Sequence, residues 1–274
     1  MTSTLHSGGW LFYLAAAIVY FAFLFSPRPW LGRLATGILA VGFAGHTVCF
    51  VVQASGAGIP FESKALVLSL FAWAIVGLYL ATLLRSRMTV LGAFVAPVAT
   101  LMALLSEAAP GAPVPADPHP GLWLSVHIVT LLLGYAAFAV SSCVAVVYLI
   151  QERYLKSKNL GSMFRRLPSL DALDRLNQIA IFVGFVFLSI GLFAGAAYAT
   201  IKPTPGYRMW ADPQALVAGV LWLWYAFAVQ SRLFAGWRGR KSALFAVVGF
   251  CVLAIAFVGV MLASSSAFHL TAAV

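Results

Sequence analysis

The chain has 274 residues, 62% of them hydrophobic and 9% charged, with a formal net charge of +10. A soluble domain carries about 25% charged residues, so there is too little polar surface here to cover a water-exposed globule. The cationic excess does not build a nucleic-acid-binding face either, because the cations fall in short gaps between long apolar runs instead of gathering on one surface.

A helix needs ~20 mostly apolar residues to cross the hydrocarbon core of a bilayer. Eight such runs follow one another at 8–26, 33–53, 65–84, 89–105, 122–151, 178–200, 213–234 and 242–267. They consume nearly the whole chain, which predicts an all-α polytopic membrane protein of eight transmembrane helices, with 1–274 as a single domain and no soluble module. The N-terminus lacks a basic n-region and an A-x-A-like site, so the first run reads as an uncleaved membrane helix, not a signal peptide.

The cations orient these helices. Arg28 and Arg33 follow the first run, and Arg85 and Arg87 the third. Arg153, Lys156, Lys158, Arg165, Arg166 and Arg175 follow the fifth; Arg232, Arg238, Arg240 and Lys241 follow the seventh. The other gaps hold only Lys64, Lys202 and Arg208. By the positive-inside rule the odd-numbered loops are cytoplasmic and both termini are extracytoplasmic.

Taken in order, the first feature inside a span is His46, in the second run. It lies about 13 residues past the cytoplasmic end, or ~20 Å up at 1.5 Å per residue, in the outer half of the bilayer. An ionisable residue inside a span is a functional candidate; a helix–helix hydrogen bond is the plainer reading. The third and fourth runs are joined by Arg85 to Met88 alone, which predicts an antiparallel hairpin, and Pro97 should kink the fourth. Residues 106–121 contain five prolines and read as an extended external loop. His119 in that loop and His6 near the N-terminus read as solvated.

The fifth run is long and should project past the membrane as helix through Glu152 and Arg153. His127 lies about five residues, or ~7 Å, from its outer end. Beyond it come a basic stretch, 156–168, and then Leu170, Leu173 and Leu176 spaced three apart after Ser169. That pattern predicts a short interfacial helix with Ser169 as N-cap, leading into the sixth span. Gly191 and Gly195 form a GxxxG pattern that permits close helix packing. Residues 202–212 hold Lys202, Tyr207, Arg208 and Trp210 among two prolines and a glycine, a stiff external loop. Asp212 followed by Pro213 suits an N-cap and a first helical position. With Trp222 and Trp224 following, an ordinary aromatic belt is the competing reading of this region. Cys49, Cys143 and Cys251 sit inside apolar runs with no CxxC and read as buried small hydrophobes.

His269 ends the last run. The topology therefore puts His127 and His269 at one depth, on one side, on different helices. Each histidine alone reads as structural; as a facing pair, two neutral imidazoles can serve as axial ligands for haem iron. Lys202 and Arg208 on the same face supply cations for propionates, and Trp210 and Tyr207 supply rings to pack along a porphyrin. Zinc would want a third or fourth ligand, for which Asp212 is the one obvious extra.

Several stretches resemble a known family. They are Gly58-Ile-Pro-Phe with Phe71-Ala-Trp73; WLSVHIVTLLLGY from Trp123 to Tyr135; Tyr148-Leu-Ile-Gln-Glu-Arg153; Leu170 to Arg175; Gly236-Trp-Arg-Gly-Arg-Lys-Ser242; and Phe257-Val-Gly-Val running on to His269. Together they resemble the CcsA/HemX group of cytochrome c assembly membrane proteins, in the haem-handling superfamily with a tryptophan-rich loop. The resemblance implies a multi-pass protein of a bacterial inner membrane that binds non-covalent haem b near its external face, with His127 and His269 as ligands; His46, inside the second span, is a further candidate contact on a haem path. It implies haem, another cytochrome c assembly membrane protein or apocytochrome c as partners. The chain departs from the family in two places. Only Gly206, Tyr207, Trp210, Asp212 and Pro213 remain of the tryptophan-rich run, with Gln214 following, and Gln230 stands where the family has an inner transmembrane histidine. Both departures resemble the HemX-like branch, whose role would be a regulator or assembly factor of tetrapyrrole metabolism without haem transfer. A small-solute transporter is a third reading, opposed by the near absence of carboxylates within the spans and of an inverted repeat.

Overall fold

The computed structural model describes residues 9–26, 28–56, 63–86, 88–109, 121–157, 167–201 and 212–263. Within them the order is α1 (Gly9–Phe25), α2 (Pro29–Gly56), α3 (Lys64–Ser86), a 3-10 turn (Thr89–Leu91), α4 (Gly92–Ala108), α5 (Leu122–Lys156), α6 (Leu170–Ile201), α7 (Pro213–Phe234) and α8 (Arg240–Ala263). Seven of these stretches are long and apolar enough to cross a membrane, and α1 is a shorter apolar helix of 17 residues. The protein is all-α and multi-pass. Large apolar side chains cover its outside: Ile18, Val51, Phe193, Leu223 and Ile255 are each more than half exposed. In water such a surface would drive aggregation; against acyl chains it has no such cost.

The helix ends follow local chemistry. Ser169 caps α6: its Oγ accepts the Ala172 N–H at 3.3 Å and its carbonyl accepts the Leu173 N–H at 3.0 Å. The expected short interfacial helix is not a separate element. Leu170, Leu173 and Leu176 form the first turns of a single helix of 32 residues. Leu173 is fully buried and packs in the core with Leu167, which draws this segment into the bundle and leaves no break before the sixth span. α5 has 35 residues; at ~1.5 Å each it is ~50 Å long, well beyond a ~30 Å hydrocarbon core. Its projecting end carries a Glu152–Lys156 ion pair at 2.6 Å. α4 continues past Pro97 to Ala108. α7 closes with Gly236 in the left-handed region at φ 63°, and the Ala235 and Trp237 amides both reach the Ser231 carbonyl at 3.1 Å, a glycine-ended helix terminus.

α5 is the central helix, shared by two apolar clusters. One gathers α1 to α4 around it, with Tyr13, Tyr20 and Tyr79 fully buried. The other joins it to α6, α7 and α8, where the Phe138 and Tyr225 rings stack with centroids 3.4 Å apart. Phe71, Tyr135 and Phe257 meet edge to face and tie α3, α5 and α8. Against α6 the approach is close. A Cβ on Gly134 would lie 3.0 Å from the Gly184 carbonyl oxygen and from the Leu188 nitrogen.

Candidate haem-ligand site

His127 lies near the end of the bundle opposite the arginine-rich connections, five residues after Leu122 opens α5. Its Nδ1 is 2.7 Å from the Gly191 carbonyl oxygen on α6. A carbonyl only accepts, so Nδ1 carries the proton. In the neutral ring that places the lone pair on Nε2, the tautomer in which histidine binds metals through Nε2. Metal-binding histidines are held in this manner, with the second nitrogen's proton on a carbonyl or carboxylate that fixes the ring and raises its basicity. The donor chemistry of His127 therefore fits an axial ligand to haem iron.

Its surroundings come from spacing on two helices. The ring rests over Gly195, where a Cβ would stand 2.5 Å from Nδ1 and 2.6 Å from Cε1. One turn along, Leu131 rests on Gly191, with a would-be Cβ 2.7 Å from Leu131 Cδ2. The GxxxG pattern is thus occupied within the chain by His127 and Leu131.

Asp212 is buried where α7 begins, and its carbonyl accepts the Leu216 N–H at 3.0 Å, as a helix-initiating residue does. Lys202, Tyr207, Arg208, Trp210 and His269 lie outside the described residues, as do His6 and His119. Gln230 is exposed on α7.

His46 belongs to a different helix group, α1 to α3. It is 8% exposed and uses both ring nitrogens: Nδ1 is 2.9 Å from the Tyr13 hydroxyl and Nε2 is 2.7 Å from Ser69 Oγ. Phe50 stacks on it at 4.6 Å between centroids. Beside it Trp73 stacks on Phe43 and donates Nε1–H to Thr47 Oγ1 at 2.8 Å. Tyr13 and Ser69 are not among the residues the sequence singles out. The available signal was that a hydroxyl inside an apolar span must find a partner there.

A second polar cluster, also missed, lies at the basic end. Asp174 accepts the Gly239 N–H through Oδ1 at 2.8 Å, and its Oδ2 is 2.9 Å from an Arg232 guanidinium nitrogen, a charge contact without hydrogen-bond alignment. Ser141 donates to Asn177 Oδ1 at 2.7 Å, and Asn177 donates to Ser242 at 3.2 Å. These contacts fasten α5, α6, α7 and α8. Trp237, in the turn between α7 and α8, meets Phe227 and Phe245 edge to face, with Lys241 5.4 Å above its ring.

Among the described residues no three His, Cys, Asp or Glu side chains gather as a metal site, so the zinc reading gains no support there. No disulfide joins the cysteines. Cys143 is buried and Cys49 half-buried, but Cys251 is exposed on α8, contrary to its expected burial: its position in the helix turns it outward, where a small apolar side chain suits lipid as well as a core.

Comparison with known proteins places the chain. The cytochrome c biogenesis protein CcsA of Synechocystis sp. is 26% identical over 321 aligned positions, covering 96% of this chain and 95% of that protein. CcsA of Chlamydomonas reinhardtii is 33% identical over 205 positions, covering 71% of this chain and 56% of that protein. CcsA of a Synechococcus strain is 35% identical over 161 positions, covering 51% of this chain and 52% of that protein. The chain's match spans about half the length of several of these relatives, the Synechococcus protein just described among them. No solved structure matches it. The family described as Cytochrome C assembly protein matches residues 31–267, from the start of α2 to beyond α8, and the chain belongs to that family.

Proposed function

We propose that the protein is a single-domain, eight-helix component of cytochrome c assembly in a bacterial inner membrane, and that it holds haem b non-covalently near its external face. The observation that carries this reading is the tautomer of His127, whose Nδ1 proton is engaged by the Gly191 carbonyl. His127 and His269 would hold the iron. Lys202 and Arg208 would meet the propionates, and Trp210 and Tyr207 would flank the ring, with Asp212 anchoring the end of their loop at α7. Haem iron between two imidazoles has no open position, which suits holding and delivery. The protein acts by presenting haem, with another cytochrome c assembly membrane protein or apocytochrome c as recipient, and not by catalysis with its own residues. His46 has a different part: with both nitrogens bonded to Tyr13 and Ser69, it would give up a hydrogen bond to contact haem on its way to the outer site.

Orientation follows from the loop charges, which favour the basic end in the cytoplasm and both termini outside. α1 counts as the eighth span: its 17 residues are at the lower limit for a crossing.

The exposed position of Gln230 supports a second reading, a HemX-like regulator that lacks haem transfer. With no inner ligand aimed into the bundle, such a protein would keep the outer site without a route to it.

The test is haem retention in detergent. The purified protein supplied with haem should show a Soret band, and His127→Ala should weaken it. Added imidazole should restore part of the loss, because the missing ligand is small and near water. A wild-type protein with no Soret band at any haem concentration would end both haem readings.

A further inference from the structure

We propose that Gly191 and Gly195 are the positioning residues of His127: the Gly191 carbonyl sets its tautomer, and the absent side chain of Gly195 makes the space its ring occupies. The significance of this seat rests on the haem reading, but the seat itself is a property of the α5–α6 seam.

The seam is antiparallel and in strict register. Phe138 lies over Gly184, Gly134 over Gly184 and Leu188, Leu131 over Gly191, and His127 over Gly195. Each step of three or four residues down α5 meets the matching step up α6, as ridge-and-groove packing requires. His127 is therefore the last side chain inserted into a continuous interface and not a surface histidine that happens to touch a helix.

The two glycines do different things. A Cβ at Gly191 would strike Leu131, 2.7 Å from Cδ2 and 2.8 Å from Cγ, with no His127 atom among its nearest neighbours. What Gly191 gives the histidine is its carbonyl, at 2.7 Å. That oxygen already accepts the amide four residues on within the helix, and its second lone pair takes the imidazole proton. At Gly195 a Cβ would stand 2.5 Å from Nδ1 and 2.6 Å from Cε1, so even alanine must push the ring away from α6. Such a shift breaks the bond to the Gly191 carbonyl and frees the tautomer. One consequence follows for assembly: this GxxxG face is filled by the chain's own α5 and is not a surface for self-association.

The test reads the tautomer in protein free of haem. Nitrogen-15 spectra of histidine-labelled protein in bilayers, with His127→Gln used to assign the signal, should show His127 as the Nδ1–H form. Gly195→Ala should shift or split that signal. Two controls leave it unchanged: Gly184→Ala, which strains the same seam against Phe138, 2.5 Å away, and Gly219→Ala, which has nothing within 4 Å. In haem-loaded protein Gly195→Ala should also lower haem affinity by about 10-fold or more, as loss of an outer-shell partner does at metal sites. An Nε2–H signal in the wild type overturns the proposal, and so does a folded Gly195→Ala protein whose His127 signal matches the wild type. Should Gly195→Ala fail to fold, the wild-type spectrum decides alone. Absence of haem binding in the wild type would refute the haem reading and leave the tautomer result standing.

Discussion

His46 and His127 are both half-way or more buried in helices, yet their nitrogens are used differently. His46 is held from both sides by hydroxyls, Tyr13 at 2.9 Å and Ser69 at 2.7 Å, each of which can donate or accept. His127 has a partner at Nδ1 that can only accept. The first arrangement clamps three helices; the second defines the tautomer of the ring. Tyr13→Phe should therefore destabilise the protein by about 1–3 kcal/mol, the cost of leaving a buried polar group without its partner, and Ser69→Ala by a similar amount. Thermal unfolding in detergent measures both, and a Tyr13→Phe protein as stable as the wild type would contradict the clamp. The sequence allowed the depth of each histidine to be counted along its span. It did not reveal what each one touches, because depth follows from rise per residue, whereas the partner depends on how each helix is rotated and in what register it packs. Gly191 and Gly195 show the limit well: their spacing announced a close approach, and only the fold identified the approaching residues as His127 and Leu131.

At the scale of elements, each apolar run overlaps an observed helix among the described residues, and errors collect where a polar stretch continues a helix. The spacing of Leu170, Leu173 and Leu176 after Ser169 predicts a separate interfacial helix over residues 169–177. Asp174 and Asn177 in fact turn inward to Gly239, Arg232, Ser141 and Ser242, and helix continues through them. The turn between α7 and α8 depends on those contacts. Gly236 and Gly239 both have positive φ, 63° and 66°. A Cβ at Gly236 meets nothing within 4 Å, whereas one at Gly239 would stand 2.7 Å from the Tyr148 hydroxyl. Gly236→Ala should cost about 1–2 kcal/mol from backbone strain, and Gly239→Ala clearly more, since it adds a steric conflict and disturbs the amide bound by Asp174. Equal losses in unfolding experiments would contradict this picture of the turn. Ser169→Ala should cost about 1 kcal/mol through loss of the α6 cap, read by the same assay.

At the scale of the whole molecule, membrane class and family were legible early, because composition excludes a soluble globule and loop charge alternates. The proposed haem site is read from the sequence only as two histidines expected at one depth; His127 has a seat against Gly191 and Gly195, while His269 lies outside the described residues. The number of crossings also bears on the site. Eight spans put both termini on one side of the membrane, and seven would put them on opposite sides. Reporter fusions at the N-terminus and at Val274 should both report an extracytoplasmic position, with alkaline phosphatase active at each. An N-terminal fusion reading cytoplasmic while Val274 reads outside would remove α1 from the membrane; a cytoplasmic reading at Val274 would move His269 to the wrong face. The most direct measurement of the central claim is the Soret spectrum of the His127→Ala/His269→Ala double variant, purified folded and supplied with haem beside the wild type and the two single variants. The account predicts a reduced band in each single variant and none in the double. A full Soret band in the double variant would contradict it.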